Sequence, residues 1–105
     1  MGLFHFLKHP DINQGVTDYM GSPGAVLLDV RTAREYQEGH IPGSVNLPLQ
    51  ALDNAEEIIE NADTPIFVYC QSGVRSRQAV SVLQYMGYSN VTNIGGISTY
   101  RGKQV

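Results

Sequence analysis

The sequence has one cysteine, no apolar run long enough to cross a bilayer and no surplus of basic residues, and each shortage excludes something. With Cys70 alone, neither an internal disulfide nor a metal centre built from several thiolates can form. Any covalent chemistry at this thiol must therefore finish on another molecule. Seven Lys and Arg stand against ten Asp and Glu, a formal charge of −3 with an isoelectric point near 5.4. No basic footprint is available to hold a phosphate backbone, so nucleic acid is not expected as a direct partner. The apolar runs fall far short of the roughly 20 residues that a membrane-spanning helix needs, and the N-terminus lacks the long apolar core of a secretory signal. No membrane span and a cytoplasmic location are the expectations.

What is present suits one small folded unit. A chain of 105 residues has room for one hydrophobic core, and 42% apolar with 16% charged residues is ordinary globular usage. A single domain over 1–105 is expected. Residues 1–10 include the unusually apolar Met1-Gly2-Leu3-Phe4-His5-Phe6-Leu7-Lys8, which reads as a docking or membrane-surface arm or, more plainly, as a segment packed onto the domain. Phe6 stands where a myristoylation signal needs Ser or Thr.

Short apolar runs alternate with helical periods along the rest of the chain. Asn13 is a candidate cap for a helix over Gln14 to Met20, closed by Gly21-Ser22-Pro23-Gly24. Ala25 to Val30 reads as a strand buried on both faces. Thr32-Ala33-Arg34-Glu35 fits a capping box at the start of a short helix that Gly39 ends. His40 to Pro48 reads as a turn and a brief strand fenced by prolines. A helix then carries Ala51, Ala55, Ile58 and Ile59 on one face and Asp53, Glu56, Glu57 and Glu60 outward. Ile66 to Tyr69 is a further apolar strand with Cys70 at its carboxyl end. From Ser76 the positions of Ala79, Val82, Leu83 and Met86 follow helical spacing up to Gly87, and a last strand runs near Asn90 to Asn93. Alternating strands and helices imply an α/β fold with a parallel sheet covered on both faces, in which ligands sit beyond the carboxyl ends of the strands.

Cys70-Gln71-Ser72-Gly73-Val74-Arg75-Ser76 links a buried strand to a helix within a few residues. Turning so tightly aims successive backbone amides at a common centre, and Gly73 allows a dihedral or close approach that a side chain would obstruct. The helix start adds unpaired amides and the positive end of its dipole, and Arg75 and Arg77 add charge. All of these favour the thiolate, so the Cys70 pKa is expected below the free value of about 8.5. A cysteine closing an apolar strand is ordinarily plain core. The combination of strand, Cys, central Gly, Arg and helix start points instead to a reactive one.

This arrangement resembles the rhodanese family of sulfurtransferases from about Ile12 to Lys103. One motif is Leu28-Asp29-Val30-Arg31, Glu35-Tyr36 and Gly39-His40-Ile41-Pro42-Gly43-Ser44-Val45-Asn46-Leu47-Pro48. The other is the loop Cys70 to Ser76. Gly95-Gly96-Ile97 matches the family's late double glycine, with Tyr100 where Trp is frequent. The resemblance implies a three-layer α/β/α fold with a central parallel sheet and a persulfide carried on Cys70. Sulfur would come from thiosulfate or another sulfane-sulfur donor and pass to cyanide, a thiol or a protein, with no metal or organic cofactor. It makes Cys70 the nucleophile and Gln71, Ser72, Gly73, Val74 and Arg75 the cradle. Asp29, Arg31 and Glu35 become scaffold residues, with an ion pair at helical spacing among them, and His40 a turn residue near the pocket. Related phosphatases and arsenate reductases use a loop one residue longer, so the four residues between Cys70 and Arg75 favour sulfur. Gln71 and Ser72 are neutral where some thiosulfate users carry cations, which leaves a persulfide donor, or a sulfur-relay and interaction module without turnover, as the alternatives.

Overall fold

The computed structural model describes residues 9–105, so the apolar segment 1–8, with most of the expected arm, lies outside the described residues. Four short strands, β1 (Val26–Asp29), β2 (Ser44–Asn46), β3 (Ile66–Cys70) and β4 (Val91–Gly96), lie in the order β2-β1-β3-β4. Every pairing is parallel. Parallel neighbours need crossover connections, and these are supplied by α2 (Ala33–Glu38), a 3-10 segment (Leu49–Glu57) and α3 (Val74–Tyr85), while α1 (Ile12–Met20) precedes the sheet.

Strand alternation sorts the side chains into two cores. Leu28, Val30, Ile66, Val68 and Cys70 face Leu52, Ala55, Ala79 and Leu83 from the 3-10 segment and α3. Leu27, Tyr69 and Ile94 face Ile12 and Val16 from α1. The result is the expected three-layer α/β/α arrangement, with central strands apolar on both sides because both sides are covered. Each fully buried Leu or Ile contributes about 2 kcal/mol of transfer free energy. Among the described residues no helix is long and apolar enough to cross a membrane.

Several local expectations are corrected. The cap of α1 is Asp11, whose carboxylate accepts from the Asn13 amide at 3.0 Å, not Asn13 itself. Starting at Ile12 places that side chain, wholly buried, in the core one turn before Val16. Asn13 instead ties α1 to the end of the chain, donating to the Thr99 carbonyl and accepting from the Arg101 amide. The segment expected as an α-helix through Ile59 is a 3-10 helix over Leu49–Glu57. Leu49, Leu52 and Ala55 recur every three residues, which matches three residues per turn; beyond the helix end at Glu57 the spacing widens to four, so Ile59 is buried and Ile58 is turned outward. Val82 is likewise exposed on α3, and β4 extends through the double glycine to Gly96. The capping box at Thr32 and Glu35 forms as the sequence predicts.

Candidate active site

β3 ends at Cys70 and α3 begins at Val74, so three residues reverse the chain beyond the carboxyl edge of the sheet. Gly73 is the helix cap, in left-handed backbone (φ 99°, ψ −8°), with no side chain satisfying the first turn. The leading amides of α3 are thereby left to the sulfur. Gly73 donates its amide to Cys70 Sγ at 3.0 Å, and the amides of Ser72 and Ser76 lie on the side of the sulfur where they favour its thiolate. The loop rests directly on β4. A β-carbon at Gly96 would strike the Gln71 carbonyl and come within 2.6 Å of Ser72 Cα, so the second glycine of the pair admits the cradle.

Cys70 is free and only 1% exposed. Burial by itself raises the thiol pKa, but the Ser76 hydroxyl and the amides of Ser76, Gly73 and Ser72 outweigh it, leaving the pKa lowered from its ordinary value. Ser76 is wholly buried, its Oγ 3.5 Å from Sγ and within hydrogen-bonding reach of Asn93 Oδ1 at 2.7 Å and the Gly73 carbonyl at 3.1 Å.

Two arginine–carboxylate pairs brace the loop. Arg75 makes a two-pronged contact with Glu35, at 2.7 and 3.0 Å. That guanidinium, with help from Thr32 and against partial burial, holds the Glu35 carboxyl down at about 2. Glu35 thus serves its own capping box and the Cys70 loop together. Arg31, 4% exposed, pairs with the fully buried Asp29 at 2.8 Å and also donates to the Gly39 carbonyl and to Gln71 Oε1. Burial opposes the charge on Arg31, yet the bond to Asp29 leaves its pKa raised. The expected ion pair at helical spacing is therefore absent: Arg31 precedes the Thr32 cap, outside the helix, and turns to Asp29, freeing Glu35 for Arg75.

The remaining expected residues separate. The Gln71 side chain is held by Arg31, while its carbonyl accepts from the Ser98 amide. Val74 and Arg77 are exposed on the first turn of α3. His40 stacks on Tyr36 (3.7 Å between ring centres), and its hydrogen bonds go to Tyr36 and Val105 rather than to the loop. A cleft of about 480 Å³ beside the loop is lined by Arg31, Glu35, Gln71, Ile97, Ser98 and Tyr100 among others. Asn93, absent from the sequence-based site, sits against Ser76 and Gly73; an Asn two residues before a glycine is a weak turn signal and its only trace in the sequence. Among the described residues no group of three His, Cys, Asp or Glu side chains is placed to hold a metal ion.

Such a site can ionise a buried thiol and then stabilise negative charge on that sulfur or on one bonded to it. Residues 13–103 match the model of the rhodanese-like domain. The thiosulfate sulfurtransferase PspE of Escherichia coli is 39% identical over 72 residues, 67% of this chain and 68% of that protein. The uncharacterised protein YqhL of Bacillus subtilis is 39% identical over 80 residues, 75% of this chain and 63% of the relative. The tRNA uridine(34) hydroxylase of Salmonella newport is 34% identical over 101 residues, 90% of this chain but 28% of that enzyme. Among solved structures, a rhodanese with anions from E. coli superposes with a TM-score of 0.72 at 32% identity, covering 77% of this chain and 96% of its own. With one motif set beneath the sheet edge and another forming the loop, and a match across most of its length, the chain belongs to the rhodanese-like domain family.

Proposed function

We propose that the protein is a sulfurtransferase that carries sulfane sulfur as a persulfide on Cys70. The observation that carries this reading is the Gly73 amide donating at 3.0 Å to a buried sulfur whose pKa is lowered despite burial, with the Ser76 and Ser72 amides favouring the thiolate as well. The Cys70 thiolate attacks the outer sulfur of thiosulfate, forming an S–S bond while the bond to the sulfonate sulfur breaks and sulfite leaves with the electron pair. The terminal persulfide anion takes over the amide donors. An acceptor such as cyanide or a thiolate then attacks that terminal sulfur, and Cys70 departs as the thiolate it began as. The electron pair that leaves with sulfite is matched by the pair that the acceptor supplies to the transferred sulfur, so the cycle balances between donor and acceptor and needs no metal or organic cofactor. We place this activity in the cytoplasm, where a free thiol stays reduced.

A second reading is supported by the fate of the arginines. Arg31 and Arg75 are both paired with carboxylates, and Gln71 and Ser72 are neutral, so a dianionic donor finds two of the three guanidiniums near the loop already engaged, with only the exposed Arg77 outside those pairs. This favours a protein or low-molecular-weight persulfide as donor and a relay role with slow turnover of free thiosulfate. Incubation with thiosulfate and with thiol persulfides, followed by intact-mass measurement, tests both. One added sulfur, missing from Cys70→Ser, is expected. Loading by thiol persulfides but not thiosulfate selects the relay; no adduct from any donor removes the sulfur-carrier reading.

A further inference from the structure

Asn93 stands on β4 where the pairing with β3 shifts register, and its side chain reaches the Cys70 loop. Its orientation is fixed locally: Oδ1 accepts from the Gly95 amide at 2.9 Å, a contact that a reversed amide would turn into two opposed donors. Asn93 therefore presents an acceptor to Ser76 Oγ, 2.7 Å away. A serine hydroxyl has one hydrogen. While that hydrogen lies on Asn93, Ser76 Oγ can offer the neighbouring sulfur only a lone pair, which suits a thiol and gives nothing to a thiolate.

We propose that Asn93 is a positioning residue that competes with Cys70 for the Ser76 hydroxyl proton and so sets how readily the sulfur ionises. In the thiol state the chain runs from Sγ–H to Ser76 Oγ and from its hydroxyl hydrogen to Asn93 Oδ1. Ionisation requires the hydroxyl to swing toward Sγ, giving up its shortest hydrogen bond. The Gly73 carbonyl, the third acceptor in reach, already receives the Arg77 amide at 3.2 Å. Without the Asn93 oxygen, the negatively charged sulfur is the strongest acceptor left for this proton.

The charges around Cys70 leave this competition intact. Arg75 from α3 is paired with Glu35 of α2, and Arg31, following β1, is paired with Asp29. Arg77 of α3 and His9, ahead of α1, line the open cleft that Ser72, Gly73 and Asn93 share and are both exposed, and Asp53, Glu56 and Glu57 of the 3-10 segment point to solvent. β4, from Val91 to Gly96, carries no titratable side chain. The inference rests on the sulfur-carrier reading only in taking the thiolate as the reacting form.

The test is the ultraviolet thiolate absorbance against pH, with Cys70→Ser as blank, which needs no reagent to enter the site. Asn93→Ser keeps a short hydroxyl for the Gly95 amide but cannot reach Ser76; Asn93→Ala provides a second variant without a new hydroxyl. The midpoint is expected to move to lower pH, raising the thiolate fraction below the midpoint about threefold to tenfold. In a Ser76→Ala background the same substitutions are expected to leave the midpoint where Ser76→Ala puts it. An unchanged or higher midpoint in either variant with a native melting curve overturns the inference, as does an equal shift without Ser76. Intact-mass measurement of sulfur loading on the same samples separates failure of this inference from failure of the sulfur-carrier reading.

Discussion

The two ion pairs that brace the loop are alike in composition and opposite in setting. Arg31–Asp29 is sealed, its side chains 5% and 0% exposed, whereas Arg75–Glu35 is open to solvent at 32% and 30%. The sealed pair carries structure. Its carboxylate also receives the Arg31 amide, its guanidinium holds Gly39 and Gln71, and the ring of Tyr69 lies 5.8 Å beneath it. The open pair joins α2 to the start of α3 through one carboxylate that titrates within reach of experiment. Position relative to water decides which pair is scaffold and which is adjustable.

Breaking the sealed pair is the largest expected effect. Asp29→Asn leaves the Arg31 charge buried without a counterion, at a cost of about 3–5 kcal/mol read from chemical denaturation. Glu35→Gln removes charge from a half-exposed site and is expected to cost about 1 kcal/mol. It also leaves Arg75 unneutralised near the sulfur, so the Cys70 titration is expected to move to lower pH; movement upward would show that Arg75 does not act on the sulfur.

Acid sharpens the contrast. The Glu35 carboxyl lies at about 2 in the folded protein against an ordinary 4.5, so its stabilisation is complete above about 4.5 and is lost as pH falls toward 2. Stability measured across that window should decline more steeply in the parent protein than in Glu35→Gln. The smallest effect is that of salt: raising ionic strength toward 1 M, where screening acts over about 3 Å, should weaken the open pair by a few tenths of a kcal/mol and leave the sealed one unchanged. Equal sensitivity of Asp29→Asn and Glu35→Gln to added salt would erase the distinction.

Much of this architecture is legible in the sequence because it is local. The capping box needs only Thr32 and Glu35, the continuous apolar runs of β1 and β3 need only their own residues, and the loop from Cys70 to Ser76 is contiguous. What escapes is set by distance along the chain. Asn93 reaches Ser76 across 17 residues, and Glu35 reaches Arg75 across 40, with no local signature for either contact. The nearer candidate partner for Glu35, Arg31, is drawn to Asp29 by a buried geometry that periodicity does not encode. The 3-10 segment misleads for another reason: apolar spacings of three and four coexist in Leu49 to Ile59, and the core takes three as far as Ala55 and four from there to Ile59.

The central claim is that main-chain donors make the Cys70 thiol easier to ionise, and the rate of its alkylation by iodoacetamide against pH tests it most directly. With one cysteine in the chain the signal has a single source. An inflection below the ordinary thiol value of about 8.5 is predicted; an inflection at or above that value would contradict it.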